Sequence, residues 1–242
     1  MSLLSVENLD ARHGLLQAVR GVSFSIAEGE ILALVGANGA GKTTLLRAIA
    51  GAHPASAGRV LFDGNDVTTL RANRRVHLGV TLVPEGRRLF AGMTVEENLS
   101  VAGAHGRSGP WNLARVLEAF PMLQPCLKRR SGDLSGGQQQ ATAIGRALMT
   151  NPRVLLLDEV SLGLSPVAVN QVYESLQAVI SGGATIVLVE QDLSRALRIA
   201  TRVACMLEGR IVLEGKASEM SRDRVTEAYF GLRRGDGGGS VA

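Results

Sequence analysis

Residues 36–44 read Gly36-Ala37-Asn38-Gly39-Ala40-Gly41-Lys42-Thr43-Thr44 and fit the pattern G-x-x-x-x-G-K-[ST] of a phosphate-binding P-loop. The apolar run at 31–35 directly before it predicts a buried strand, and residues 45–50 directly after it predict a helix. Glycines let successive backbone N–H groups turn inward, and the helix N-terminus adds the positive end of its dipole. The stretch therefore predicts an α/β core in which all of residues 36–44 contact a nucleotide.

Two side chains of this P-loop have predicted tasks of their own. Lys42 can reach the outer phosphates of a nucleotide, and the hydroxyl group of Thr43 can hold Mg²⁺. The alternative is a glycine-rich turn with an incidental lysine. The order of strand, loop and helix fits that alternative less well.

A second apolar run, at 154–157, is followed by Asp158 and Glu159. In α/β sheets the carboxyl ends of the strands face the ligand crevice, so both acids are predicted to lie at that crevice. Asp158 fits the carboxylate that supports Mg²⁺ in P-loop nucleotide hydrolases. Glu159 comes one residue later, points to the other side and can face an attacking water. The alternative, two acids that begin a surface loop, is disfavoured by the P-loop upstream.

The LSGGQ segment, Leu134-Ser135-Gly136-Gly137-Gln138, predicts a second anion-binding helix end. Ser135 fits a helix N-cap, and the two glycines leave backbone N–H groups accessible. The segment is distant from the P-loop in sequence and lies in a helical stretch. We therefore expect it to meet the nucleotide of another subunit.

The P-loop, the LSGGQ segment and the acidic strand, in this order, resemble ATP-binding-cassette (ABC) ATPases, and the likeness extends over about residues 3–232. Further segments resemble the LivF-type subunit of branched-chain amino-acid importers: Val83-Pro84-Glu85-Gly86-Arg87-Arg88-Leu89-Phe90, Met93-Thr94-Val95-Glu96-Glu97-Asn98-Leu99, Ser161-Leu162-Gly163-Leu164-Ser165-Pro166, Val189-Glu190-Gln191 and Ala228-Tyr229-Phe230-Gly231. The resemblance implies an ATPase subunit of an amino-acid importer that uses ATP and Mg²⁺.

The resemblance also implies roles for single positions. Glu159 would polarise water, and Ser135 to Gln138 would contact the γ-phosphate held by a partner subunit. Glu85 occupies the place of a glutamine that senses Mg²⁺ and the membrane subunits. Gln191 holds the place of a histidine that contacts the γ-phosphate, and it is assigned to catalysis with Glu159 and Lys42.

The adenine end of the nucleotide is assigned to His13 and Val19 on the same ground. His13 stands where an aromatic ring usually stacks on adenine, and its imidazole can stack more weakly. Other positions depart from the family: Val160 replaces a proline, and Ser165 replaces an aspartate in the loop that crosses the dimer interface. Gln138 ends the LSGGQ segment as in ABC ATPases broadly, rather than as in the LivF type.

Strands that alternate with helices predict a P-loop core with a mainly parallel sheet, to which the resemblance adds an N-terminal antiparallel β subdomain and an inserted helical subdomain. We expect one domain at 1–234, with core segments 1–84 and 151–234, a helical insertion at about 85–150 and a flexible tail at 235–242. Strands are predicted at 3–9, 22–26, 30–35, 59–63, 79–84, 154–158, 185–190, 203–208 and 211–214, and helices at 95–99, 113–120, 137–149 and 167–180. Thr94 is predicted to cap its helix in a capping box with Glu97.

Composition limits the class of protein. The hydrophobic content of 45% is ordinary for a globular domain, and no apolar run approaches the ~20 residues of a membrane helix. The net charge is +4, but the arginines are scattered, so we predict no nucleic-acid partner. The N-terminus does not resemble a signal peptide, which predicts a cytoplasmic protein, peripheral on the inner face of the membrane. Cys126 and Cys205 are predicted to be buried thiols.

The predicted partners are a second ATPase subunit (a sister subunit or a second copy), the transmembrane permease subunits and, indirectly, a solute-binding protein. One alternative is the same ATPase serving a urea, amide or lipid transporter. Another is a non-transport ABC protein acting on DNA or ribosomes, although such proteins usually carry a coiled-coil insertion or two cassettes. A nucleotide-binding module without hydrolysis is disfavoured by Glu159.

Overall fold

Two β-sheets form the framework of the computed structural model, which describes residues 2–229 of the chain. The strands are β1 (Ser2–His13), β2 (Leu16–Ala27), β3 (Ile31–Val35), β4 (Ala57–Phe62), β5 (Asn65–Asp66), β6 (Val80–Val83), β7 (Val154–Asp158), β8 (Thr185–Val189), β9 (Arg202–Leu207) and β10 (Arg210–Lys216). The helices are α1 (Lys42–Ile49), α2 (Ala72–Leu78), α3 (Val95–Gly103), α4 (Leu113–Ala119), α5 (Gly136–Leu148), α6 (Pro166–Ser181), α7 (Leu193–Ile199) and α8 (Arg222–Tyr229). Short 3₁₀ helices lie at Pro121–Cys126, Ser131–Asp133 and Ala217–Glu219.

The larger sheet has six strands in the order β10-β9-β3-β8-β7-β6. All of its neighbouring pairs are parallel except β10 with β9. Strands β3, β7 and β8 are buried at every residue, as expected for central strands covered on both faces. Because they run parallel, their carboxyl ends share one edge, so the P-loop, Glu159 and Gln191 come together there.

The smaller sheet is antiparallel, in the order β2-β1-β4-β5, and packs with helix α1 over one face of the larger sheet. Helices α3 to α6 cover the opposite face and form a second apolar core. The predicted fold class, a P-loop core with a mainly parallel sheet and an N-terminal antiparallel sheet, is confirmed. The predicted boundaries of the helical insertion stay a prediction, and 230–242, with the predicted tail, lie outside the described residues.

The predicted cap of helix α3 is confirmed. The hydroxyl of Thr94 accepts a hydrogen bond from the backbone N–H of Glu97 at 3.2 Å, and the Glu97 carboxylate accepts one from the backbone N–H of Thr94 at 2.8 Å. This reciprocal pair fixes where the helical region begins. Cys126 and Cys205 are free and buried, also as predicted.

Helices α2, α7 and α8 were not predicted. Helix α2 is polar in sequence and is held by Arg75, whose buried guanidinium donates to the carbonyl groups of Ala48 and Ile49 at the end of α1 (2.8 and 2.6 Å). Burial lowers the pKa of Arg75 to about 10. These are tertiary contacts, so local periodicity does not indicate them. Within residues 2–229, no helix combines the length and the apolar character that a bilayer crossing requires.

Candidate active site

Two glycines of the P-loop lie where no side chain fits. Gly41 caps helix α1 with φ of 99°, and a Cβ atom there would stand 2.1 Å from the carbonyl oxygen of Ala18. A Cβ atom on Gly36, where φ is 152°, would stand 2.2 Å from the carbonyl oxygen of Met206. No side chain caps α1, so N–H groups of its first turn remain open to a ligand.

Lys42 is folded into this loop with only 3% of its side chain exposed. Its Nζ atom donates to the carbonyl oxygens of Gly36 and Ala37 at 2.8 and 2.9 Å and lies 3.9 Å from a carboxylate oxygen of Glu159. Burial lowers the pKa of Lys42, and the nearby carboxylates act in the opposite direction. The amine is therefore a poorly solvated positive charge, which phosphate oxygens can approach in place of the carbonyl groups.

Thr43 and Asp158 meet beneath the P-loop. The hydroxyl of Thr43 donates to Oδ1 of Asp158 at 2.9 Å, while Oδ2 is buried and has no hydrogen-bond partner in the described part of the chain. Burial raises the pKa of the Asp158 carboxyl group, and the hydrogen bond from Thr43 opposes that shift. An unpartnered buried oxygen beside a hydroxyl group fits a hard cation such as Mg²⁺, which is held by a few protein oxygens together with phosphates.

Glu159 and Gln191 form a pair at the carboxyl edge of the sheet. Nε2 of Gln191 donates to Oε2 of Glu159 at 2.7 Å, so the two side chains are in direct contact. The backbone of Glu159 has φ of 48°, in the left-handed region, and its N–H donates to the carbonyl group of Val189 at 3.2 Å. Glu159 thus lies between the buried amine of Lys42 and the amide of Gln191.

These groups border one cavity of about 400 Å³. Most of the residues predicted to bind nucleotide or catalyse line it: His13, Asn38, Gly39, Gly41, Lys42, Thr43, Thr44, Glu85, Glu159 and Gln191. Gly36 and Ala37 lie behind Lys42, and Ala40 is buried. Leu16, Ala18 and Leu162 also line the cavity and were missed by the sequence analysis. Leu16 and Leu162 are exposed in the structure, and the sequence does not reveal that exposure.

The adenine-end predictions have different outcomes. His13 stands at the cavity with its Nε2 atom 3.1 Å from the hydroxyl of Thr44 and its ring 4.5 Å from that of His53, so it remains available to stack. Val19 is wrong as a nucleotide contact. Its side chain is 0% exposed within the core of the antiparallel sheet. An irregularity in the pairing of β1 with β2, between Val22 and Val19, breaks the alternation of faces and turns Val19 inward.

The LSGGQ segment forms the N-terminal end of α5, and the predicted N-cap at Ser135 is confirmed. Its hydroxyl accepts from the backbone N–H of Gln138 at 3.3 Å, and the Gln138 side-chain oxygen accepts from the backbone N–H of Ser135 at 3.1 Å. None of Ser135, Gly136, Gly137 and Gln138 lines the P-loop cavity. The chain does not bring its two glycine-rich helix ends to one cavity.

Comparisons with known proteins agree with this geometry. A family model described as ABC transporter matches residues 19–161. A high-affinity branched-chain amino acid transport ATP-binding protein, BraG of Pseudomonas aeruginosa, is 40% identical over 95% of this chain and 100% of its own. A probable branched-chain amino acid transport ATP-binding protein, LivF of Archaeoglobus fulgidus, is 34% identical over 90% of this chain and 94% of its own.

Among solved structures, a nucleotide-free ATP-binding cassette from an ABC transporter superposes with a TM-score of 0.81 at 28% identity, covering 94% of both chains. The agreement therefore extends beyond the motifs to most of the chain.

Proposed function

The chain belongs to the ABC transporter family and is an importer ATPase, and from this premise we propose that it powers the uptake of branched-chain amino acids. The observation that carries the proposal is the cavity where Lys42, Thr43, Glu159 and Gln191 converge. The relatives named for branched-chain amino-acid transport, similar over almost their whole length, support the solute class.

The residues of the P-loop would bind the phosphates of ATP. The open N–H groups at the start of α1 would donate hydrogen bonds to phosphate oxygens, and the amine of Lys42 would neutralise their charge. His13 would stack on the adenine ring, with Leu16 and Ala18 adding apolar contact along the same wall.

Thr43 and Asp158, together with Glu85, which also lines the cavity, would hold Mg²⁺ beside the outer phosphates. The bound ion would neutralise charge that develops on the phosphates during transfer. The unpartnered Oδ2 atom of Asp158 supports this assignment, because a buried carboxylate oxygen without a partner is costly.

Glu159 would orient the water that attacks the γ-phosphate and accept its proton. The hydrogen bond from Gln191 fixes one carboxylate oxygen, which leaves the other oxygen to meet the water. The Gln191 amide is also close enough to the cavity to donate to the γ-phosphate. Phosphoryl transfer needs mainly positioning and charge stabilisation, and these residues can supply both.

A second ATPase subunit would complete each site. The LSGGQ segment lies away from its own P-loop cavity, so Ser135, Gly136 and Gly137 would contact the γ-phosphate bound by the partner. Glu85 lies between the nucleotide cavity and the start of the helical region, where it would transmit the nucleotide state to permease subunits. The chain would then lie on the inner face of the membrane and meet a solute-binding protein only through the permease.

Uptake by cells tests the proposed function. Deleting the chain from its source cells is expected to abolish uptake of labelled leucine, isoleucine and valine and to leave urea uptake unchanged. Restoring the wild-type chain restores uptake, and restoring Glu159→Gln does not. Unchanged leucine uptake in the deletion strain, or loss of urea uptake instead, contradicts the proposed solute.

A further inference from the structure

A buried carboxylate stands directly behind the pair Glu159 and Gln191. Glu190 follows strand β8, is 0% exposed and does not line the nucleotide cavity. Its Oε1 atom accepts a hydrogen bond from the hydroxyl of Tyr173. Its Oε2 atom accepts from the hydroxyl of Ser161 at 3.1 Å, as well as from the backbone N–H groups that follow it in sequence.

These bonds join three separate segments of the fold. Ser161 lies in the loop after strand β7, two residues beyond Glu159, and Tyr173 lies in helix α6. The backbone N–H of Gln191 donates to the same Glu190 oxygen as Ser161, at 3.2 Å. One carboxylate thus anchors the segments on both sides of the reacting pair to each other and to α6.

The four donors carry no formal charge, so the Glu190 carboxylate depends on hydrogen bonds rather than on an ion pair. Arg195 stacks over the ring of Tyr173 at 5.0 Å, and its guanidinium pairs with the Asp192 carboxylate at 3.3 Å. Burial, followed by the proximity of Glu190, raises the pKa of Tyr173 well above its usual value, so this hydroxyl remains a donor. Burying a carboxylate among four neutral donors costs free energy of folding. The cost indicates that the arrangement serves a purpose.

The backbone conformation of Glu159 indicates which residue the hydrogen bonds to Glu190 keep in place. A non-glycine residue in the left-handed region persists only where the surrounding structure over-determines it. The carbonyl group of Glu159 accepts from the N–H of Leu162 at 3.1 Å, so the loop that contains Ser161 turns back directly onto Glu159. Fixing Ser161 and Gln191 therefore restrains Glu159 from both sides.

We propose that Glu190 is a positioning residue for ATP hydrolysis, whose buried carboxylate ties Ser161, Tyr173 and Gln191 together and so holds Glu159 in the geometry that water attack requires. The inference rests on the proposed roles of Glu159 and Gln191. Glu190 itself touches neither nucleotide nor water in this scheme. Its effect belongs to the turnover step and not to the binding of ATP.

Two substitutions of Glu190 separate geometry from charge. In Glu190→Gln the amide oxygen can keep the place of Oε2, while the amide nitrogen faces Tyr173, whose hydroxyl can reverse and accept. In Glu190→Ala all four donors lose their acceptor, and the loops that carry Glu159 and Gln191 are released. Glu190→Gln is therefore the conservative variant that should rescue function.

The test is steady-state hydrolysis of MgATP by the full chain, with ATP binding and thermal stability measured for each variant. Glu190→Ala is expected to lower kcat by about 10- to 100-fold, since misplacement by about an ångström has that effect. The KM for ATP should stay within about twofold of the wild-type value, because the interactions that bind ATP equally in the ground state and the transition state are unchanged. Glu190→Gln should stay within about threefold of wild type in kcat, the scale of one altered hydrogen bond.

Thr150→Val is the matched control. It removes a buried hydroxyl that pairs with Thr81 at 2.8 Å, near the opposite end of strand β7. It should lower thermal stability and leave kcat unchanged. A fall in kcat for Glu190→Ala at a stability equal to that of this control supports the proposal.

Ser161→Ala keeps the test decisive if Glu190→Ala does not fold. Its half-buried hydroxyl is removed without opening the core, and kcat should fall by about 3- to 10-fold at unchanged KM. In a Gln191→Ala background the same substitution should cost little more, because both act through Glu159. Full additivity of the two effects overturns the proposal.

Failure of this inference and failure of the proposed function are distinguishable in one data set. If Glu159→Gln abolishes turnover while Glu190→Ala keeps wild-type kcat, the positioning role is overturned and the function stands. If Glu159→Gln keeps wild-type turnover, the proposed function itself fails. Equal losses in Glu190→Gln and Glu190→Ala also overturn the positional account, because charge rather than geometry then decides.

Discussion

The N-terminal ends of helices α1 and α5 both carry glycines, yet their backbone N–H groups are satisfied differently. At α1 the capping residue is Gly41, and no side chain accepts from the first turn. At α5 Ser135 and Gln138 form a complete capping box. The α1 end therefore needs a ligand to satisfy its donors, whereas the α5 end holds its shape without one.

The two helix ends also differ in the charged and polar side chains that surround them. Around α1 the chain gathers a buried amine, a hydroxyl and three acids, with Lys42, Thr43, Asp158, Glu159 and Glu85 all at or beside one cavity. Around α5 no residue of the LSGGQ segment lines that cavity. We therefore propose that the α1 end binds and cleaves a nucleotide, and that the α5 end adds only donors to a nucleotide bound by another subunit.

Adding one methyl group at each end is expected to separate the two roles. In Gly41→Ala the Cβ atom meets the Ala18 carbonyl at 2.1 Å in a left-handed backbone, so ATP affinity should fall by at least about 100-fold. In Gly137→Ala the Cβ atom would stand 3.0 Å from the Cβ atom of Ala168 and no nearer than 3.6 Å to its backbone, in a helical backbone. ATP affinity should then change by less than about twofold. Titration with a fluorescent ATP analogue measures both.

Thermal unfolding serves as the control for this pair. Both variants should remain folded, so a loss of affinity in Gly41→Ala with an intact transition reports on the loop itself. Equal loss of affinity in the two variants contradicts the division of roles.

The divalent cation should belong to the α1 end alone. Thr43→Ala removes the hydroxyl that bonds to Asp158 and is expected to raise the Mg²⁺ concentration for half-maximal hydrolysis by about tenfold or more. Ser135→Ala at the other end should leave that concentration unchanged. Magnesium titrations of ATPase activity at saturating ATP measure the difference, and a shift in Ser135→Ala of the same size argues against it.

The proposed γ-phosphate contact of Gln191 gives a smaller expected effect. Gln191→Ala should lower kcat by about tenfold, because a positioned hydrogen bond is lost from both Glu159 and the phosphate. Gln191→His should retain activity and gain a pH dependence between about 6 and 7, since histidine titrates there and glutamine does not. Wild-type turnover by Gln191→Ala in pH-rate measurements removes this residue from the chemistry.

The parts of the fold that the sequence predicts are those formed by residues adjacent in the chain. Strand, P-loop and helix are adjacent in the chain, and the acids at 158–159 end an apolar run, so position alone predicts that they meet. The burial of Val19 could not be predicted in this way, because only the pairing of β1 with β2 decides which face of the sheet its side chain occupies. Helix α2 depends on buried contacts of Arg75 to carbonyl groups 26 and 27 residues away.

The burial of Glu190, within the site, could not be predicted from neighbouring residues either. Its sequence neighbours place it beside Gln191, but its burial depends on hydroxyl groups 17 and 29 residues distant in the chain. An acid after an apolar strand is otherwise expected to meet solvent or a cation. The donors that keep this one buried become visible only when β7, β8 and α6 are packed together.

The central claim is that the α5 end of one subunit completes the α1 end of another. Its most direct test is the association state of Glu159→Gln, measured by analytical ultracentrifugation with and without MgATP, alone and with the sister ATPase. We expect monomers without nucleotide and a long-lived dimer with MgATP, which Gly137→Ala in the same background should weaken. A chain that remains monomeric at saturating MgATP, even with the sister ATPase present, contradicts the shared site.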